Sequence, residues 1–220
     1  SFRERGVLSE TMFNYMSILG WSPGNDLEIF DKEFAINNFD LKNVLANPAI
    51  FDTQKLLWMN GQYIREFDEK TFNKIALETI ETSLSRELFS EEIERINLIL
   101  SVVQERLETL KDLMGQVEFL LDEPFNVDKD EWEEVNSKSA QDYLTNIRNE
   151  FKTMKDFELD KIEAMMREQL KKLDLKPKEG FQAARVAITG TKISPPLFES
   201  IYALGQSSTI ARIAEKIDNL

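Results

Sequence analysis

SEEIERINLILSVVQERLETLKDLM (Ser90–Met114) repeats its apolar residues at three- and four-residue intervals, the spacing that places them on one face of an α-helix. Ile96, Ile99, Val103, Leu107, Leu110 and Met114 are expected to form the buried face of one long helix. Ser90 with Glu91 and Glu92 marks its start, because carboxylates in a first turn meet N–H groups that have no partner within the helix. Arg95 and Arg106 stand eleven residues apart. At roughly 100° per residue that spacing returns to within about 20°, so both should share a second face, as surface decoration or as a reading head. No segment alternates apolar and polar residues over a useful length, and the expected fold is all-α, built as two packed helical units.

Outward from this helix, start and stop signals divide the rest of the chain. Toward the N-terminus, Ser9 suits an N-cap and Glu10 the first turn that follows, and Met12, Tyr15, Met16 and Leu19 make a stripe that ends at Gly20. Ser22-Pro23-Gly24-Asn25-Asp26 is a turn cluster, and Asn47-Pro48 is a second break. Asp52 is expected to cap a helix through Leu56, Leu57 and Trp58, and Asp68 or Glu69 to open one past Ile75, Leu77 and Ile80. Toward the C-terminus, helices are expected from about Leu159 to Leu173 and, after Lys176-Pro177, from about Phe181 to Thr189, stopped by Gly190. Ser194-Pro195-Pro196 reads as an N-cap serine followed by proline in the first helical position. That helix should end at Gly205, with Ser207 or Ser208 capping the last one.

Composition narrows the chemistry. The 220 residues contain no Cys and no His, which removes disulfides, thiolate metal sites and the commonest general base. Apolar residues make up 42%, including 15 Phe and 3 Trp, enough to bury a core. No apolar run approaches the length needed to span a bilayer and the first residues lack a signal-peptide pattern, so a soluble cytoplasmic protein is expected. The net charge of −13 opposes phosphate binding in sum but not in distribution. Residues 181–220 hold four basic and three acidic side chains, a net of +1, which leaves −14 for residues 1–180. Between Glu118 and Asp160, 13 acidic residues face 5 basic ones, including Asp128, Asp130, Glu131, Glu133 and Glu134. A solvated helical face is the expected meaning, against an acidic partner-binding or metal site, and the loop spacing of a calcium site is absent.

Several blocks resemble one family. GVLSETMFNYMSILGW (Gly6–Trp21) is similar to the segment that follows the second catalytic signature of glutamyl-tRNA synthetases. PAIFDTQKLLWMNGQYIRE (Pro48–Glu66) resembles their domain that contacts the inner arm of the tRNA. ERLETLKDL (Glu105–Leu113) and RVAITGTKISPPLFESIYALG (Arg185–Gly205) resemble anticodon-reading segments of the bacterial type. Residues 120–174 match only in helical character. The resemblance implies a stem-contact helical domain over residues 1–67 and an all-helical anticodon-binding domain over residues 68–220, with subdomains of about 68–125 and 126–220. It further implies that the parent is a glutamate–tRNA ligase using ATP and Mg, whose catalytic centre has a His-containing signature and a Lys-rich one. A chain without His cannot hold the first. Lys192-Ile193-Ser194 only superficially matches the second, since two prolines follow it outside any nucleotide-binding fold. The chain by itself should therefore bind no cofactor and form no glutamyl-adenylate.

By the same resemblance Arg106 aligns with the arginine that tells glutamate tRNAs, whose anticodons end in cytosine, from glutamine tRNAs, whose anticodons end in guanine. Arg185 aligns with a second anticodon-contacting arginine, and Ser194, Pro195 and Leu197 with the loop and helix start that cup the bases. Lys55 and Arg65 are candidates for phosphates of the inner arm, while Trp58 and Tyr63 could stack on nucleotides but stand in a stripe that reads as core. The implied partners are tRNA(Glu) and the parent's own catalytic domain, without DNA or membrane, for a monomer. From another class, the bland alternative is an acidic helical scaffold for protein partners, whose binding would not weaken steeply with salt.

Overall fold

A computed structural model describes residues 1–24, 27–44, 50–122 and 125–218. The break expected at Asn47-Pro48 and the end of the turn cluster, Asn25-Asp26, lie outside these residues. Among them the chain is helical throughout, with a single isolated antiparallel bridge from Trp21 to Val44. Its contacts sort into two compact units, Ser1–Glu87 with Val103–Met114, and Leu88–Val102 with Gly115–Leu220. The chain thus leaves the first unit, returns to it and leaves again.

The first unit is built from α1 (Ser9–Gly20), α2 (Lys32–Asn38), α3 (Thr53–Glu66) and α4 (Glu69–Leu84). Val7, Tyr15, Leu56 and Met59 form one buried cluster, and Trp21, Phe30 and Ala35 another. The aspartate caps fall where expected. The Asp52 carboxylate accepts from the backbone N–H of Gln54 and Lys55, and that of Asp68 accepts from Thr71, each satisfying N–H groups that a helix start leaves over. Two expectations for α1 are corrected, because Leu8, not Ser9, takes the cap position, and Met16 is 55% exposed while Thr11 and Asn14 are wholly buried. Hydrogen bonds turn the polar face inward. Thr11 donates to Asn60 Oδ1 at 2.9 Å, and Asn14 Oδ1 accepts from the backbone N–H of Phe30 at 3.1 Å.

The long helix expected over 90–114 is broken into α5 (Ser90–Asn97), α6 (Leu100–Gln104) and α7 (Leu113–Val117), with a single 3₁₀ turn over Leu110–Asp112. Ile96, Ile99, Val103 and Leu107 are buried as expected, but from both units, and Leu113 rather than Met114 continues the series. The cause is tertiary. The Gln104 amide donates to the carbonyls of Ile64 and Phe67, both at 2.9 Å, at the end of α3, and the chain turns away there. Arg95 and Arg106 consequently share no helix face; Arg95 lies in the second unit and pairs with Asp122 at 2.6 Å.

The second unit continues with α8 (Lys129–Val135), α9 (Lys138–Thr153), α10 (Leu159–Lys172), α11 (Pro177–Thr189), α12 (Leu197–Leu204) and α13 (Gln206–Asp218). Helix α11 is its centre, with Ala183, Ala184, Val186, Ala187 and Ile188 fully buried; small side chains let its neighbours approach closely. It begins four residues earlier than expected, with Pro177 in the first helical position, where a missing N–H costs nothing. Two caps are corrected. Ser194 does not cap α12, which starts at Leu197, and α13 starts at Gln206, ahead of Ser207 and Ser208. The Gln206 side chain instead closes α9, donating to the carbonyls of Phe151 at 2.6 Å and Met154 at 2.9 Å.

Candidate nucleic-acid interface

In the first unit Arg106 stands on an exposed turn just beyond Gln104. Among the described residues its side chain makes no hydrogen bond or ion pair, although the backbone that carries it is held on all sides. Gln104 fixes the turn to the end of α3. The Asn60 amide donates to the carbonyl of Glu108 at 2.7 Å, and the carbonyl of Gly6 accepts from Leu110 at 3.2 Å. The Asp112 carboxylate accepts from the N–H of Thr109 at 2.8 Å. Gly61 makes room, because a Cβ added there would stand 2.9 Å from the carbonyl oxygen of Leu107. The combination is a flexible donor-only side chain on a rigid base.

The neighbouring candidates on α3 behave differently. Lys55 forms a surface ion pair with Glu28 at 2.5 Å, an interaction that water and salt weaken. Arg65 is partly buried and points its Nη1 at the carbonyls of Glu105, 3.3 Å away, and Leu107, 3.5 Å away. Trp58 is 44% exposed, so it is not the core residue its stripe suggests. The Tyr63 hydroxyl lies 2.7 Å from both Asn14 Oδ1 and the carbonyl of Phe30. Burial, with the nearby Glu66 charge adding to it, pushes this phenol up to about 12.

In the second unit Gly190 ends α11 in the left-handed conformation, φ 87°, and opens the loop to α12. Arg185 closes that loop from inside. Its Nη1 donates to the carbonyl of Pro195 at 2.6 Å and that of Ser194 at 3.3 Å, and to the Ser194 hydroxyl. Ser194 and Leu197 are only 4% and 5% exposed, and Pro195 is buried. The loop's outward side chains are Lys192, whose ammonium pairs with Glu134, and Ile193, 73% exposed. The Glu131 carboxylate accepts from the N–H of Lys192 at 2.5 Å. Part of the acidic run on α8 therefore binds this loop, where a solvated face is expected from sequence.

Arg212 was not singled out by the sequence reading, yet it organises the same region. Its guanidinium donates to the carbonyls of Ile188 and Phe119, both at 2.6 Å, and stacks on the Phe125 ring at 3.8 Å. Burial, with Arg95 opposing its charge, brings it down to about 10. An arginine interrupting the apolar run Thr209-Ile210-Ala211-Arg212-Ile213-Ala214 is the signal that could have found it. Arg185, Ser194 and Pro195 are thus brought together within one unit, and Arg65 with the Arg106 turn within the other. Among the described residues no group of Asp and Glu could hold a metal ion, and no helix of the chain is long and apolar enough to cross a membrane.

Comparison with known proteins gives one kind of relative. Residues 62–217 match the family described as anticodon binding domain, and residues 1–58 match the class I (E and Q) tRNA synthetase catalytic domain. The chain is 34% identical over 221 residues to a glutamate–tRNA ligase of Symbiobacterium thermophilum, covering 97% of this chain and 45% of that protein. It is 35% identical over 217 residues to the glutamate–tRNA ligase of Kocuria rhizophila, covering 96% and 43%. It therefore spans less than half the length of these relatives. A crystal structure of a glutamate tRNA ligase from Elizabethkingia meningosepticum, in complex with its amino acid, shares the fold with a TM-score of 0.84 at 23% identity, over 100% of this chain and 43% of that one. A family match running from the second half of α3 to the end of α13, beside relatives aligned along nearly all of its length, makes this chain a member of the anticodon-binding-domain family, of the kind found in glutamate–tRNA ligases.

Proposed function

We propose that this chain is the tRNA-binding, anticodon-recognising part of a glutamate–tRNA ligase, and that Arg106 is its base-reading side chain. The parent would attach glutamate to tRNA(Glu) in the cytoplasm with ATP and Mg, as a monomer without DNA or membrane partners. The adenylate-forming step belongs to residues this sequence does not contain, since it has no His for the first signature. The observation that carries the reading is the exposed guanidinium on a clamped turn, unpartnered among the described residues.

An anticodon is an unpaired loop, the form in which RNA bases offer their Watson–Crick edges to side chains. Cytosine presents ring-nitrogen and carbonyl acceptors there, whereas guanine presents N–H donors. A guanidinium only donates, so it matches the first and repels the second. Because the turn is already ordered, the freedom lost when the base arrives is that of the side chain and not of the backbone. Arg185, Ser194, Pro195 and Leu197 serve the second unit's loop by fixing its shape, and Lys192 and Ile193 are side chains that loop offers outward. Lys55 supplies a phosphate contact that draws it from its exposed pair with Glu28.

The test is binding of anticodon stem-loops ending in cytosine or in guanine to the chain and to Arg106→Gln. A preference for cytosine worth about 1 to 3 kcal/mol is expected, and the substitution should abolish it. An unchanged ratio removes Arg106 from the site. Affinity should also fall steeply as salt rises, as phosphate contacts require.

A further inference from the structure

We infer that Arg65 is a positioning residue for Arg106, and that anticodon discrimination depends on it although it touches no RNA. The inference rests on the proposed role of Arg106 and deepens it. Among the described residues, the carbonyls on either side of position 106, those of Glu105 and Leu107, both face the Arg65 guanidinium. The Glu105 carbonyl lies in the peptide plane that enters Arg106, and the Leu107 carbonyl in the plane one residue beyond the one that leaves it, so the two bonds bracket the backbone that carries the side chain. Holding both from one nitrogen restrains the direction in which Arg106 leaves the backbone.

The clamp is itself braced. With the Gln62 amide turned so that its oxygen faces the donors, that oxygen accepts from Arg65 Nη2 at 3.2 Å and from Trp58 Nε1 at 3.1 Å. Trp58, Gln62 and Arg65 thus form one chain of donors and acceptors along α3, ending on the turn that carries Arg106. Gly61, one residue before Gln62, lets the turn sit close enough for these bonds, since a Cβ at this place would lie 3.1 Å from the Arg65 guanidinium nitrogens. A lysine ammonium could stand in for Nη1 at the two carbonyls but has no second nitrogen, fixed in the same plane, for the Gln62 oxygen. Arg65 is therefore a poor candidate for a phosphate contact, as its Nη1 and Nη2 already point at protein acceptors.

The experiment uses the 220-residue chain with stem-loops ending in cytosine or guanine, in four forms: unsubstituted, Arg65→Gln, Arg106→Gln and both together. Arg65→Gln is expected to lower the cytosine preference by about three- to tenfold, since small displacements of a recognition group are costly. In the Arg106→Gln background the same change should leave the ratio unaltered, because the residue it positions is gone. Circular dichroism melting sets a temperature at which every form is folded, and Arg65→Lys, expected to keep an intermediate ratio, replaces Arg65→Gln if that variant does not fold. Equal weakening for both stem-loops with the ratio retained would make Arg65 a phosphate contact and overturn the inference. If Arg106→Gln itself leaves the ratio intact, the proposed base reader fails instead, so the two failures are distinguishable.

Discussion

Arg106 and Arg185 are the same residue type, each in or beside a loop next to a helix end, yet they are used in opposite ways. The turn around Arg106 is held by other groups, Asn60, Gln104, Asp112 and Arg65, and the arginine itself is left exposed and unpartnered among the described residues. The loop beyond Gly190 is held by its arginine, with Arg185 donating inward to the carbonyls of Ser194 and Pro195. A guanidinium that satisfies buried carbonyls stabilises the fold, while one facing water is available to a ligand. The contrast fits scaffold work for Arg185 and the reading role proposed for Arg106.

The comparison can be broken most severely at Gly190. Its φ of 87° disfavours any side chain, and a Cβ would stand 2.6 Å from the carbonyl oxygen of Asn126. Gly190→Ala should cost on the order of 2 to 3 kcal/mol, read from the urea midpoint. Next in size, Arg185→Met removes the donor from the Ser194 and Pro195 carbonyls and should cost about 1 to 3 kcal/mol in the same measurement. A loss under about 0.5 kcal/mol would mean the loop does not depend on its arginine and would undo the contrast.

A pH titration sharpens the first unit's side of the comparison. The Tyr63 phenol, raised to about 12, stays neutral in the folded chain while the unfolded chain ionises near its ordinary 10.0. Its contribution to stability is therefore constant below pH 10 and falls as pH rises from there toward 12. Tyr63→Phe should remove that part of the alkaline decline, with phenolate absorbance showing the late-titrating group lost. The smallest effect belongs to Arg106→Gln, which should shift the urea midpoint by no more than about 0.5 kcal/mol, because no described residue leans on that side chain.

Local chemistry was legible in the sequence and long-range chemistry was not. The caps at Asp52 and Asp68 and the stop at Gly190 follow from bonds within a few residues, so pattern reading locates them, whereas of the six apolar positions read on 90–114 only Ile96, Ile99, Val103 and Leu107 are buried. The break after Gln104 depends on carbonyls 40 and 37 residues away, which no local pattern announces. Ser194 failed for the same reason, since the serine-proline-proline pattern is that of a helix cap but Arg185 takes its oxygen. The candidate residues were named by resemblance, and only the coordinates separated the exposed arginine from the engaged ones.

The return of residues 103–114 to the first unit also governs how the protein can be divided. Any single cut between 87 and 115 would strip one half of a piece that completes it. A fragment ending at Glu87 would lose the strap over Gly61 and leave Asn60 Nδ2 without its bond to the Glu108 carbonyl. Modular exchange with a relative therefore has to carry both pieces of each unit, because the working parts are interleaved along the chain rather than arranged one after the other.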